Sequence, residues 1–303
     1  MLSFLLILFV SVFFTGIIGR TKSICSGRKG PGVLQPMKNV ILLFRKGSVF
    51  SNTSSIIFQI APAIAFGSIL TAAMLIPFSW QESILSAQFD FVLFVYLLGI
   101  GRFFMIIGAL DTGSSFEGMG ANREAFYAML LEPAMLIILA SFCIITGNYS
   151  FATIFYTMGQ YHVEYILAAL LGIFVLVNIA LVENSRLPVD DPKTHLELTM
   201  VHEVMILDNS GFDLALIHLT SFLKFAIFGT LIANCLIPAQ WSLSLQVLLY
   251  LAIQIVFAVT IGFVESFRAR NRLNKNAQYI LAVSAVALIA FIFALIVNIN
   301  TIR

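Results

Sequence analysis

Charge is scarce in this chain. Only 11% of its 303 residues are Asp, Glu, Lys or Arg, whereas 60% are apolar. A soluble domain carries about 25% charged residues, so too few polar side chains are present to cover a water-exposed surface. This excludes a soluble enzyme, a nucleic-acid-binding protein and a disordered chain. The composition indicates a protein that crosses a membrane several times.

Cysteine is also rare, and the sequence lacks the common catalytic motifs. Cys25, Cys143 and Cys235 form no C-x-x-C pair and have no metal-ligand spacing, so we expect neither disulfides nor a zinc site. His202 begins an H-E-x-x-H pattern, but Ile206 stands where the second histidine is required. No G-x-S-x-G stretch is present. We therefore expect no metal ligands and no catalytic residues in this chain.

Long apolar runs dominate the rest of the sequence. A helix rises 1.5 Å per residue and the hydrocarbon layer is about 30 Å thick, so eight runs are long enough to cross it. These runs are residues 2–19, 56–79, 89–110, 125–147, 163–182, 213–237, 241–264 and 279–300. Continuous apolar runs of this length satisfy their backbone groups in lipid as helices. The sequence predicts an all-α integral membrane protein whose residues 1–303 form one transmembrane domain.

Lysine and arginine are distributed unevenly between the connections. Fourteen of them lie in the loops after the first, third, fifth and seventh runs, against only Arg303 on the other side. Because cytoplasmic loops carry an excess of Lys and Arg, we expect these four loops in the cytoplasm and both termini outside. The first run has no preceding basic region and no small-residue cleavage site, so we expect a retained span with its N-terminus outside.

Two of the predicted cytoplasmic loops are long. In the first, residues 36–46 begin with a proline and continue with apolar residues, which predicts an interfacial helix. That loop is either a topogenic, lipid-binding loop or a docking surface. In the second, residues 183–212, Thr194 and Glu197 form a capping box that opens another short helix. Loops of this length are usually functional, so we expect a partner or chemistry on this side.

Three charged residues fall inside the predicted spans. Arg102, Glu132 and Lys224 would each cost about 2.5–3.5 kcal/mol at the centre of a membrane helix. Arg102 lies about 12 Å and Glu132 about 10 Å from the cytoplasmic end of its span, so we expect these consecutive antiparallel helices to form an ion pair. Lys224 lies about 16 Å deep. Two interpretations stay open: a structural pair with a snorkelling lysine, or a proton path or polar cavity.

Several short motifs carry a family resemblance. They read RKGPGVLQP at 28–36, RFF at 102–104, LDTGS at 110–114, GANRE at 120–124, EP at 132–133, E-x-x-R-x-P-x-D at 183–190 and EL at 197–198. Together they resemble the subunit-1 membrane proteins of proton-pumping NADH:quinone oxidoreductase (complex I). Within that superfamily they are most similar to the branch of formate hydrogenlyase and membrane-bound nickel–iron hydrogenases.

The resemblance implies a non-redox membrane subunit with no cofactor of its own, in a prokaryotic plasma membrane. Its expected partners are hydrogenase-like large and small subunits and a ferredoxin-like iron–sulfur subunit, and these partners hold the nickel–iron centre and the iron–sulfur clusters. Antiporter-like membrane subunits and the lipid bilayer complete the expected surroundings, without nucleic acid. Two alternatives remain: a quinone-interacting subunit, which needs an apolar tunnel between the first inner loop and span six, and a stand-alone ion transporter.

Two groups of candidate residues follow from the buried charges and from the resemblance. The expected proton path or polar cavity contains Arg102, Arg123, Glu132, Glu183, Arg186, Asp190, Glu197, Glu203 and Lys224. The expected docking residues are Arg28, Gly30, Pro31, Gln35, Asp111 and Pro188. After Asp190 the family pattern has glutamates where this chain has Lys193 and His195. The resemblance therefore implies a thinner chain of carboxylates than in complex I.

Overall fold

The computed structural model describes residues 1–51, 54–79, 81–160, 162–191 and 200–302. Within those ranges eleven helices form the regular structure. They are α1 (Leu2–Cys25), α2 (Gln35–Phe44), α3 (Ile56–Leu75), α4 (Asp90–Asp111), α5 (Ser115–Thr146), α6 (Phe151–Met158), α7 (Val163–Glu183), α8 (His202–Met205), α9 (Gly211–Leu236), α10 (Leu243–Phe267) and α11 (Leu273–Ile302).

Eight of the helices in the described ranges are long and apolar enough to cross a membrane: α1, α3, α4, α5, α7, α9, α10 and α11. The predicted all-α architecture with eight spans is confirmed. Three helices extend six or more residues past their predicted runs: α1 ends at Cys25 rather than at 19, α5 begins at Ser115 rather than at 125, and α11 begins at Leu273 rather than at 279. These helices continue past the apolar runs, since backbone hydrogen bonding does not require an apolar side chain.

The short helices lie at the two ends of the bundle. The helix predicted over residues 36–46 is present as α2, whose Val40 packs against Ala215 and Phe222 of α9; its position at the membrane interface stays a prediction. In the second long loop only α8, a single turn, is present among the described residues, and Thr194 and Glu197 lie outside them. Helix α6, at the opposite end, was not predicted from the sequence.

Helix α9 occupies the centre of the bundle. It packs against α3, α1, α7, α2 and α10, and its Phe225 and Phe228 are fully buried. Small residues allow close helix approach elsewhere. At Gly101 of α4, for example, an added Cβ would lie 2.5 Å from the Ser68 hydroxyl oxygen of α3. The charged residues on α4 and α9 are therefore held by closely packed neighbours.

Helix α7 ends inside the bundle. Its last residue, Glu183, contacts Arg102, which lies nine residues before the end of α4. The Arg186 N–H donates to the Leu181 carbonyl (2.8 Å) and the Ser185 N–H to the Val182 carbonyl (3.0 Å), with Ser185 at φ 49°. This is a Schellman motif with serine in the position that glycine usually takes.

Residues 184–190, which we call the buried segment, follow directly. All of them are buried except Arg186, which is half-buried. The Asn271 N–H donates to the Pro188 carbonyl (2.9 Å), and the Asn276 side-chain amide donates to the Val189 carbonyl (3.0 Å). Irregular backbone at membrane depth is tolerated where it is buried in protein. These hydrogen bonds satisfy two carbonyl groups of the buried segment away from water.

Candidate functional site

Five charged residues from four helices meet where α7 ends, and we call them the charge cluster: Arg102, Glu124, Glu132, Glu183 and Lys224. Arg102 uses a different nitrogen for each carboxylate. Its Nη2 contacts Glu183, its Nη1 lies 3.4 Å from an oxygen of Glu132 and its Nε lies 3.5 Å from an oxygen of Glu124. The other Glu183 oxygen lies 3.2 Å from Lys224 Nζ. The Arg102–Glu132 pair expected from matched depth is present in the structure, and Lys224 belongs to the same cluster.

Most of the charge cluster is buried, and its charges do not cancel. The side chains of Arg102 and Glu183 are 5% and 3% exposed, whereas that of Glu132 is 43% exposed. With every group ionised, its three carboxylates exceed its two cations by one charge. An uncompensated charge away from water is costly. Such a cluster favours uptake of one proton or one small cation.

A cavity with both polar and apolar walls, the latter including Ile69, Met105 and Ile217, adjoins the charge cluster. The volume that water can occupy is about 40 Å³, which is enough for ordered water. Arg102, Glu124, Glu183 and Lys224 line it, and so does His202 of α8. Burial lowers the pKa of His202 to about 4, so its imidazole is neutral at physiological pH. Waters beside these carboxylates could relay protons.

Two further ion pairs hold the buried segment to α10 and to the residues that follow it. Arg186 Nη1 lies 3.2 Å from a carboxylate oxygen of Glu265, and Lys22 of α1 lies 3.4 Å from the other Glu265 oxygen. Arg270 lies 2.9 Å from Asp190. The Arg186–Glu265 and Arg270–Asp190 pairs lie at the end of the bundle that carries the basic loops. Because Arg186 and Asp190 follow Glu183 closely in the chain, these pairs connect that surface to Glu183.

Hydrogen bonds hold the chain directly before and directly after residues 192–199, which the structure does not describe. The second Asp190 oxygen accepts hydrogen bonds from the N–H groups of Val201 (3.0 Å) and His202 (3.2 Å). Arg123 of α5 donates to the Met200 carbonyl (2.8 Å). Asp190 thus ties residues 201 and 202 to the buried segment, and Arg123 ties Met200 to α5. Glu203 lies half-buried on α8, and Glu197 falls outside the described residues.

The predicted docking residues divide into two groups. Arg28, Pro31 and Gln35 are exposed and Gly30 is half-buried, all in the connection from α1 to α2 or at its end. The other two have contacts within the chain. The Asp111 carboxylate accepts from the N–H groups of Ser55 (2.7 Å) and Phe58 (3.4 Å) at the start of α3, and Pro188 is buried. Docking stays a prediction, and the exposed residues are the ones available for it.

Sequence reasoning missed Glu124, Glu265 and Arg270. Glu124 lay in a segment assigned to a loop, although a longer α5 would have placed it two turns before Glu132, on a similar face. Glu265 follows the predicted span by one residue, and Arg270 was used only for orientation. In the described ranges, no group of three or more His, Cys, Asp or Glu residues is arranged to hold a metal ion. Cys25, Cys143 and Cys235 are free thiols.

Comparison with known proteins agrees with this architecture. Hydrogenase-4 component C of Escherichia coli (strain K12) is 28% identical over 274 residues, which cover 89% of this chain and 85% of the relative. Formate hydrogenlyase subunit 4 of the same strain is 28% identical over 295 residues, 95% of each chain. A subunit of the NADH-quinone oxidoreductase of Bacillus cytotoxicus is 25% identical over 232 residues, 73% of this chain and 68% of the relative.

A solved structure shows the same fold. A chain of the membrane-bound sulfane sulfur reductase, an archaeal respiratory membrane complex, superimposes with a TM-score of 0.79 at 20% identity, covering 97% of both chains. The family model described as NADH dehydrogenase matches residues 1–297. That match spans nearly the whole sequence and includes every member of the charge cluster. The chain therefore belongs to the NADH dehydrogenase subunit 1 family.

Proposed function

We propose that this chain is the membrane-anchoring and energy-coupling subunit of a hydrogenase-type oxidoreductase complex of the formate hydrogenlyase kind. In this role it links electron transfer in docked cytoplasmic subunits to the translocation of protons or sodium ions. The observation that carries the proposal is the charge cluster, with its excess carboxylate, attached through the buried segment to the side of the basic loops. The similarity to hydrogenase-4 component C and formate hydrogenlyase subunit 4 supports the type of complex.

Coupling would act through Glu183. This carboxylate binds both Arg102 and Lys224, and it immediately precedes the buried segment, whose other end is held by Arg270. A docked subunit that shifts the segment would weaken the contacts of Glu183 with both cations. The proton or cation of the cluster would then be redistributed toward Glu124 or Glu132. Moving one charge against the membrane potential requires about 2.3 kcal/mol per 100 mV, which is comparable to the strength of a buried ion pair.

The proposed partners follow from the position of the basic loops. Hydrogenase-like large and small subunits and a ferredoxin-like subunit would dock there and hold the nickel–iron centre and the iron–sulfur clusters, while antiporter-like subunits pack laterally in the membrane. The fourteen basic residues support a cytoplasmic position for this side in a prokaryote, by the positive-inside rule, with both termini outside.

The contacts of α2 weigh against a quinone-binding role. The expected tunnel between the first inner loop and span six coincides with the contact of α2 and α9, where Val40 packs against Ala215 and Phe222. Four charged side chains line the neighbouring cavity: Arg102, Glu124, Glu183 and Lys224. These features favour a polar site for protons or small cations.

The first test is affinity purification of the tagged full-length chain in mild detergent, with mass spectrometry of every retained protein. We expect hydrogenase-like, ferredoxin-like and antiporter-like subunits. Recovery of this chain alone, folded and stable, would contradict the proposal and favour a stand-alone transporter.

The second test separates coupling from assembly in membrane vesicles that contain the complex. Glu183→Gln should lower ion translocation per electron transferred by at least about tenfold, the effect of 1.4 kcal/mol. Glu164→Gln is the matched control, because Glu164 is an exposed acid at the other end of the same helix. An assembled Glu183→Gln complex with normal translocation would refute the coupling role of this residue.

A further inference from the structure

Glu132 is the member of the charge cluster that reaches the side of the bundle. Its side chain is 43% exposed, against 14% or less for each of the other four members. The residue lies within α5, about 10 Å from the cytoplasmic end of its apolar run. Ionisable side chains at such depth almost always face the interior of the protein or a water-filled cavity. The exposed part of Glu132 therefore indicates that another protein covers this side of the bundle.

Four exposed apolar residues accompany Glu132, and together the five form what we call the lateral face: Ile100, Phe103, Met129, Glu132 and Pro133. Met129 and Pro133 lie within one turn of Glu132 on α5. Ile100 and Phe103 lie within about one turn of Gly99 on α4, and a Cβ added at Gly99 would lie 3.7 Å from Glu132 Oε1. The absence of a side chain at Gly99 leaves the carboxylate open to a neighbour. The lateral face thus combines one acid with apolar surface from two helices.

The backbone adds a second acceptor to the lateral face. Proline has no N–H, so Pro133 cannot donate to the Met129 carbonyl four residues earlier in α5. Backbone groups at membrane depth have no water to bind and require partners within protein. A carbonyl oxygen and a carboxylate therefore lie within one turn of each other on the same exposed side of α5. A neighbour that covers them has to bring hydrogen-bond donors.

The charge balance defines which donor fits. The three carboxylates of the cluster exceed its two cations by one charge. Lysine and arginine side chains carry a positive charge and several donors, and they have no acceptor. We propose that a transmembrane helix of another membrane subunit packs on the lateral face and brings a lysine or arginine to Glu132 and the Met129 carbonyl. Uptake of a proton by the cluster and contact with this cation are then alternative ways to balance the same charge.

Photocrosslinking identifies what covers the lateral face. A photoreactive residue replaces Met129 in the tagged full-length chain, and the intact complex is irradiated in native membranes before mass spectrometry. We expect a crosslink to a transmembrane segment of a different subunit, with a lysine or arginine within one helical turn of the labelled residue. Labelling of lipid alone, of a second copy of this chain, or of a segment without such a basic residue would overturn the proposal.

Retention of the crosslinked subunit tests the charged contact itself. Glu132→Gln removes the charge and keeps the shape of the side chain, so the ratio of that subunit to this chain after washing in detergent should fall about tenfold. Glu164→Gln, at an exposed acid of α7, is the control and should keep the ratio. Monodisperse elution confirms that each variant is folded. Unchanged retention in folded Glu132→Gln, or an equal loss in the control, would overturn the proposal. The proposal requires a second membrane subunit but not the coupling role, so neither readout involves ion translocation.

Discussion

Arg102→Met tests whether the charge cluster stabilises the bundle. Methionine keeps an unbranched side chain but removes the cation that contacts Glu124, Glu132 and Glu183. Glu183 retains Lys224, while the other two carboxylates lose their ion pairs with Arg102. Removing one partner of a buried pair costs about 3–5 kcal/mol. The folding equilibrium should therefore fall by roughly two to three and a half orders of magnitude.

A double-mutant cycle assigns that loss to the ion pair. Reversible unfolding of the full-length chain in mixed detergent–SDS micelles gives the free energy of unfolding for Arg102→Met, Glu183→Gln and the double variant. Because the neutral glutamine needs no counter-ion, the double variant should be more stable than the sum of the single losses predicts, by about 1.5 kcal/mol or more. Additivity within about 0.5 kcal/mol would refute the reasoning.

Arg102→Lys adds a control that keeps the charge. A lysine ammonium is compact, whereas the Arg102 guanidinium uses three nitrogens for three carboxylates. The loss of stability should be intermediate between those of the unaltered chain and Arg102→Met. A loss as large as that of Arg102→Met would show that geometry, and not charge, dominates the stability of the cluster.

Three further predictions concern single positions. Glu132→Gln should change the free energy of unfolding by less than about 1 kcal/mol, because Arg102 keeps Glu124 and Glu183 as counter-ions and a neutral glutamine needs none, yet it should lower ion translocation in vesicles; normal translocation would contradict this. Ser185→Val should destabilise the chain by about 1–2 kcal/mol at φ 49°, whereas Ser185→Gly should be neutral or stabilising in the same unfolding assay; equal effects would exclude backbone strain as the cause. Lowering the pH from about 6.5 to about 4 should also reduce the free energy of unfolding, because in this range the His202 imidazole binds a proton in the unfolded chain but not in the folded one. His202→Gln should flatten that part of the pH profile, and an unchanged profile would assign the dependence to other groups.

The membrane architecture was predictable because lipid imposes a simple constraint. Each span needs about 20 apolar residues, and the chain supplies eight such runs with little else. The ends of α5 and α11 were less predictable, since polar residues such as Asn122 and Asn274 are compatible with either a loop or a helix. Packing of α8 against α5 favours the helix there: a Cβ at Gly120 would lie 2.9 Å from the Val201 carbonyl oxygen.

The charge cluster was only partly predictable, because the ends of the helices were not fully predictable either. Equal depth on consecutive antiparallel helices was enough to pair Arg102 with Glu132. Glu183 was known to lie near the end of a span, but its depth relative to α4 and α9 depends on how far α7 extends into the bundle. The pairs Arg186–Glu265 and Asp190–Arg270 join residues about 80 positions apart, and local sequence patterns contain no signal for contacts at that separation.

The order of the charges along the chain also bears on biosynthesis. Helices enter the bilayer sequentially, and each isolated charge at mid-membrane opposes insertion by about 2.5–3.5 kcal/mol. Arg102 on α4 finds Glu132 on the very next helix, so the two can leave the translocon already paired. Glu183 then emerges when Arg102 is already in place, and Lys224 when Glu183 is. Within the charge cluster, only Arg102 is synthesised before all of its counter-ions. The first of these counter-ions lie on α5, the next helix along the chain.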